Sequence, residues 1–434
     1  MMKEKKRAGV ILAAALATAL ACPPAAVFAE TSRTEAQIRE VQEAIVDWEM
    51  ERNESDQLLT GELLDNADGS ESQWFAFAAS RIGIEDNQAQ YLARLQQVVE
   101  YYYANLEAEK ENLKATDWHR LALTIRACGG DPTAFGVDPE GNPINLIADG
   151  TYDCIMGDPG QQGINGYIWA LIALDSGDYQ EPDNASWGRE ELTAAILEEQ
   201  QENGGFGLRS DETNVDITAM AVTALAPYQE DEAVQTAVNG ALEYLSEAQN
   251  ADGTMSTDGE RTAESTGWTL TAVCSAGLDP ETEERFVKEG GGLLDGILLF
   301  RQEDGGFIHS LDAEEEQESG AMAGYQTVYA LESYRRFLAD EPALFDLTDA
   351  ETVSPEEIEA EKEKLPEYTG QPEDRNAEQI QQETEQRSSW ILVLCVIIGA
   401  AVVTLLAVSV VHGKRKKARA EAQRQEEEDE DDDW

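Results

Sequence analysis

Gln201-Glu202-Asn203-Gly204-Gly205-Phe206, Gln249-Asn250-Ala251-Asp252-Gly253-Thr254 and Gln302-Glu303-Asp304-Gly305-Gly306-Phe307 are three versions of one stretch. In each, an amphipathic segment ends on a glutamine and a glycine follows four residues later. Glycine there lets the chain leave a helix through a tight turn, because it tolerates positive φ. The rings of Phe206 and Phe307 can then pack back on the helix just left. The three glutamines read as structural groups, bonding turn or helix-end backbone between repeats.

Around these turns runs a second series of apolar, Ala-rich segments. They begin near Trp74 (WFAFAASRIG), Trp118 (WHRLALTIRACGG), Ile168 (IWALIALDSG), Thr218 (TAMAVTALAPY), Trp268 (WTLTAVCSAG) and Tyr325 (YQTVYALESY). Their spacing of 44, 50, 50, 50 and 57 residues marks a repeat architecture. Small side chains allow close helix approach, and the low charge predicts that both sides are covered, so these are inner helices. More polar amphipathic segments precede them near 34–51, 88–110, 189–202, 231–249 and 283–302, with charged outward faces and apolar inward stripes. Before Ile168 there is only the short stretch Asn145–Asp149. Six helix pairs wound round would make an all-α, closed double ring over residues 30–340.

The flanks read as addresses. Lys3, Lys5, Lys6 and Arg7 precede an apolar run, and Val27-Phe28-Ala29 places small residues before a cut, so residues 1–29 are expected to be a secretory signal peptide. Residues 341–389 are acidic, carry Pro342, Pro355, Pro366 and Pro372, and show no sustained apolar stripe; a disordered stalk is expected. Residues 390–411 carry no charge over a length that spans a bilayer, and Lys414-Arg415-Lys416-Lys417 behind them marks a cytoplasmic tail, 412–434. The expectation is a single-pass cell-surface protein with residues 30–389 outside.

The formal charge of −56 belongs to the middle of the chain, since the N-terminal segment is basic and the C-terminal one nearly balanced. It excludes a phosphate-backbone binder, so no nucleic-acid partner is expected. Outside the signal and membrane segments only Cys128, Cys154 and Cys274 remain, permitting one disulfide at most, with the pairing of Cys128 and Cys154 left open. Three histidines in the whole chain argue against a Cys/His zinc site, and no metal is expected.

The glutamine–glycine turn followed by an Ala-rich helix resembles the repeats of terpenoid cyclases and protein prenyltransferases, the squalene–hopene cyclase type included. The run Thr116-Asp117-Trp118 to Asp131-Pro132, with Gly166 to Leu174 next, is most similar to bacterial secreted members that look like the toroid half of intrinsic factor and transcobalamin. The resemblance implies the (α/α)6 toroid and leaves the activity open. A cyclase would need the acids of a DxDD motif; the matching run is Asn214-Val215-Asp216-Ile217, in which Asp216 stands without its flanking acids. A prenyltransferase would need zinc and a histidine where Gly324-Tyr325-Gln326 stands. By resemblance to the cobalamin carriers, Asp216, Thr266 and Gln326 would meet a corrinoid-like ligand; Trp169, Trp268 and Tyr325, which could supply rings to a cyclase cavity, are further ligand-contact candidates. Those carriers close the site with a second domain, so a lid from a separate chain, or a surface-protein partner, is expected.

The reading is therefore a membrane-anchored toroid that binds a ligand or partner at its mouth without catalysis and without an obligatory cofactor. A terpene-cyclase-type enzyme using Asp216 as its acid is the first alternative, and a structural or adhesive module with a filled centre is the second. Asp216 could equally be a plain helix cap. His309 is expected in solvent.

Overall fold

The computed structural model describes residues 33–109, 113–209 and 212–370. The signal peptide, the 390–411 segment and the tail expected from the sequence lie outside these residues. About 53% of the described residues are helical and strand is minimal, so the chain is all-α. No helix among them is long and apolar enough to cross a membrane.

The chain opens with α1 (Glu35–Arg52), the one-turn α2 (Gly61–Asp65), α3 (Ser70–Arg81), α4 (Gln88–Ala104), the short α5 (Leu106–Glu109) and α6 (Ala115–Ala127). A long loop with a π turn at Ala148–Tyr152 leads to α7 (Ile164–Asp175), α8 (Arg189–Glu198), α9 (Val215–Leu225) and α10 (Glu232–Ala248). A ribbon of β1 (Met255–Thr257) and β2 (Glu260–Thr262) precedes α11 (Ala263–Ser275), α12 (Leu293–Leu298), α13 (Ala321–Ala339) and α14 (Pro355–Lys362).

Each Ala-rich segment falls in a helix: α3, α6, α7, α9, α11 and α13. These six pack in series, α3 on α6, α6 on α7, α7 on α9, α9 on α11 and α11 on α13, and α13 returns to α3. The more polar helices cover them from one side, α8 on α7, α10 on α9, α12 on α11 and α1 on α13. Burial follows chemistry: every residue from Ile168 to Leu174 in α7 and from Ala263 to Cys274 in α11 is buried.

In the three glutamine–glycine turns the left-handed residue is Gly204 (φ 84°), Gly253 (φ 89°) or Gly305 (φ 92°). They also mark where one repeat touches the next. A Cβ on Gly204 would lie 2.4 Å from the Gly240 carbonyl oxygen of α10, one on Gly253 2.1 Å from that of Gly292, and one on Gly305 3.0 Å from that of Ala44 in α1. The third contact runs from the last turn to the first helix and closes the circuit. The register of the repeat is one residue off the sequence reading. Gln200 and Gln249 are the equivalent pair: Gln200 Nε2 donates to Gly204 O (2.8 Å) and Ala237 O (2.7 Å), Gln249 Nε2 to Gly253 O and Phe286 O (both 3.1 Å). Gln201 and Gln302 also bond only backbone.

Two expectations need correction. Residues 283–292, expected to begin an outer helix, form turns instead, and α12 starts only at Leu293. Gly290-Gly291-Gly292 cannot sustain a helix against its entropy cost. The stretch after Glu341, expected to be a disordered stalk, folds against the helices as far as Gly370. Leu344, Phe345, Leu347 and Ile358 are buried, and α14 packs on α4. Asp349 pairs with Arg81 (2.7 Å) and Arg336 (2.8 Å), and Lys362 with Glu100 (2.8 Å). Cys128, Cys154 and Cys274 are all free thiols and buried.

Candidate functional site

Helices α9, α11 and α13 pack in series, and the polar residues predicted from sequence sit on their first two turns. Asn214 caps α9, its side chain accepting from Ile217 N. Asp216 is therefore not the cap, and its carboxylate is free for other work. Thr262 caps α11 in the same way, accepting from Ser265 N. Glu264 occupies, two residues past Thr262, the place that Asp216 occupies two residues past Asn214.

A hairpin turn completes this corner. Asp258 (φ 54°) and Gly259 (φ 89°) join β1 to β2 in a two-residue loop, the conformation that an Asp-Gly pair favours. The ribbon thereby brings Thr257 to Asp216, Oγ1 to Oδ2 at 3.5 Å, and to Ser265, Oγ to Oγ1 at 2.8 Å. His309, expected in solvent, is half exposed but places Nδ1 2.8 Å from Glu264 Oε2. Its loop is fixed to the start of α11, because Ala263 N donates to His309 O at 3.0 Å. Arg261 steadies the ribbon through Asp252 (2.8 Å) and Asp312 (2.6 Å), so the acidic loop after Leu311 has a structural partner. No group of three His, Cys, Asp or Glu side chains among the described residues could hold a metal ion.

Burial pushes the Asp216 carboxyl above the usual carboxylate range, against hydrogen bonds from Ser265 and Thr257. Burial also raises Glu264, with His309 opposing it and the Asp216 charge adding to it. Both carboxylates act on the Tyr329 hydroxyl, which burial raises far above its ordinary value, so they face the same interior. Each carries one buried oxygen with no partner, Asp216 Oδ1 and Glu264 Oε1; Gln326 Oε1 on α13 is a third.

Beneath these acceptors the centre is filled with rings. Trp74 lies 5.1 Å from Trp169 by ring centroids, Trp169 5.7 Å from Trp268, and Trp268 5.6 Å from Tyr329. Phe345, from the segment after α13, stacks on Trp268 at 6.2 Å and meets Trp169 edge-on at 5.9 Å. Trp169 (8% exposed) and Trp268 (3% exposed) thus form a packed floor, leaving little ring surface to an entering ligand. Tyr325 is buried against Phe75 and takes a hydrogen bond from Gln326; burial pushes its hydroxyl up to about 12.

Thr266 does not reach the site. It is fully buried, donates to Thr262 O (2.8 Å) and accepts from Met255 N (3.0 Å). Thr218 makes the same pair of backbone bonds one repeat earlier, so this is a structural feature of the repeat. Glu264, Ser265 and Thr257 were missed from sequence. The available signal was the shared register of Asn214–Asp216 and Thr262–Glu264. A separate open cavity of about 690 Å³ lies between the loop after α6 and α14, bordered by Arg126, Phe135, Tyr179 and Glu359.

Replacing Asp216 by Asn tests whether the corner is built for function at a cost in stability. An acid whose folded pKa lies above its unfolded one favours the fold below the unfolded value and loses that contribution as pH rises through the folded one. Asp216→Asn is therefore expected to raise Tm by roughly 2 °C at pH 7, and the gain should vanish near pH 4. Thermal unfolding at the two pH values checks this; a lower Tm at pH 7 contradicts the assignment.

No protein-family model matches this sequence, and no curated protein matches it.

Proposed function

We propose that this chain is an exported, membrane-anchored (α/α)6 toroid of the terpenoid cyclase and prenyltransferase type that binds a ligand at the mouth of its inner ring without turning it over. The observation that carries the reading is the set of orphaned acceptors, Asp216 Oδ1, Glu264 Oε1 and Gln326 Oε1, buried at one end of the ring. A buried acceptor without a donor costs free energy on the order of 1–3 kcal/mol, so three together call for a donor-bearing partner. The order in which the inner helices pack, with α13 returning to α3, supports the toroid.

The packed centre argues against cyclisation. A polyprene needs a dry cavity as long as itself, and that space is occupied by Trp74, Trp169, Trp268, Tyr329 and Phe345. One observation favours the cyclase alternative: burial raises the Asp216 carboxyl, the direction an acid catalyst requires. The filled centre equally suits a structural or adhesive module, but such a module gives no role to unsatisfied carboxylates. In this reading residues 1–29 direct export, 390–411 anchor the chain, and a lid, where one is used, comes from another protein.

Among known ligands of similar toroids, an amide-rimmed corrinoid offers donors that match this acceptor set. Titrating the full chain with corrinoids and following visible absorbance tests the analogy, with Asp216→Ala alongside. A saturable shift weakened by Asp216→Ala supports it. No shift with any corrinoid removes the carrier analogy, and turnover of a polyprene removes the non-catalytic reading.

A further inference from the structure

Resting on the mouth as a binding site, we infer that the group it takes is a primary ammonium ion, seated between the Asp216 and Glu264 carboxylates. Ionised carboxylates only accept hydrogen bonds, and so does the orphaned Gln326 oxygen. An ammonium brings three donors and no acceptor. A neutral amide would add its own carbonyl, and the nearby donors are already engaged. Thr257 and Ser265 bond each other and Asp216, and Gln326 donates to Tyr325.

Charge gives the same answer. Two carboxylates that share a buried corner repel unless a cation lies between them. Asp258 adds a third negative charge near Asp216. The neighbouring cations of the described residues are committed elsewhere. Arg261 holds Asp252 and Asp312, Arg120 holds Gln73 and Asp117, and Arg52 holds Glu49 and Glu71. His309 reaches only Glu264 Oε2, leaving Oε1 of a residue that is 7% exposed without any partner. The overall charge of −56 draws cations toward the surface in general; the specific claim concerns the corner alone.

The test uses the full chain in mild detergent and three probes of one shape: benzylammonium, benzamide and benzyl alcohol. Calorimetry and tryptophan fluorescence at constant ionic strength read the binding. Benzylammonium is expected to bind saturably, and Asp216→Asn and Glu264→Gln each to weaken it at least about tenfold. Both variants keep the fold and nearly all of the net charge, so diffuse cation accumulation survives in them. Benzylammonium that gives no more heat than sodium chloride, or that binds both variants as tightly as the parent, overturns the inference. Benzamide binding as tightly as benzylammonium, unaffected by Glu264→Gln, overturns the ammonium while leaving the mouth as a binding site. Failure of all three probes and of every corrinoid overturns both.

Discussion

A chain cut after Asp340 is expected to lose most of its stability, although the sequence places the end of its folded part there. The segment beyond supplies the last pieces of the core. Phe345 meets Phe77, Trp169, Trp268 and Tyr329, with ring centroids between 5.4 and 6.5 Å. Leu344 and Leu347 are 1% and 0% exposed. Asp349 neutralises Arg81 and Arg336, whose side chains are 3% and 7% exposed. Removing it leaves two buried guanidinium groups short of a partner, which is costlier than never having had the pair. Phe345→Ala alone, which opens a void inside the aromatic cluster, should cost about 3–5 kcal/mol. Denaturant unfolding of the cut chain and of Phe345→Ala measures both. A cut chain that unfolds at the same denaturant concentration as the whole would return this segment to the role of a stalk.

The second large effect is expected at Glu332. This carboxylate is fully buried in α13 and ties the closing helix to the opening one. Arg335 donates to it through Nε (2.9 Å) and a terminal nitrogen (2.8 Å), and Gln42 Nε2 of α1 donates at 3.2 Å. Arg336 Nε lies 3.0 Å away as an ion pair without hydrogen-bond alignment. Gln42 also donates to Val328 O (3.1 Å), so one side chain joins α1 to both backbone and carboxylate of α13. Glu332→Ala removes the most buried partner of two arginines, which keep Glu341 and Asp349, and should cost about 3 kcal/mol. Glu332→Gln, which still accepts from Gln42, should cost less. Equilibrium unfolding decides it, and a loss below about 1 kcal/mol would mean that solvent reaches this pair and that the closure depends on packing alone.

How much of this was legible in the sequence depended on periodicity. The six Ala-rich helices were readable because apolar segments of low charge recur at nearly constant spacing, and no loop does that. The outer members were less so, since surface helices carry composition little different from loops; Gly290-Gly291-Gly292 was a visible breaker that the amphipathic pattern concealed. The folded tail was hidden by its acidity. Four buried side chains, Leu344, Phe345, Leu347 and Ile358, sit in a background of Asp and Glu too irregular to form a stripe. The partner that holds Asp349 in place, Arg81, lies 268 residues away. Asp216 was found through a motif, and Glu264 was overlooked because that motif does not extend to the next repeat. Alignment of the two caps, Asn214 and Thr262, would have found it. Thr266 was misassigned because a polar residue near a helix start looks the same whether it faces a ligand or the backbone.

The stability cost at the mouth and the binding proposal are one physical statement. Three acceptors are kept unsatisfied in a corner that an Asn or a Gln would quiet, as functional sites commonly are. The most direct measurement is native mass spectrometry of the full chain purified under mild conditions from its own cells, beside the Asp216→Asn/Glu264→Gln double variant. The account predicts a small-molecule adduct of one per chain on the parent and none on the variant. An adduct kept by the double variant, or a parent chain that carries none and takes up neither corrinoid nor amine when offered, would contradict it.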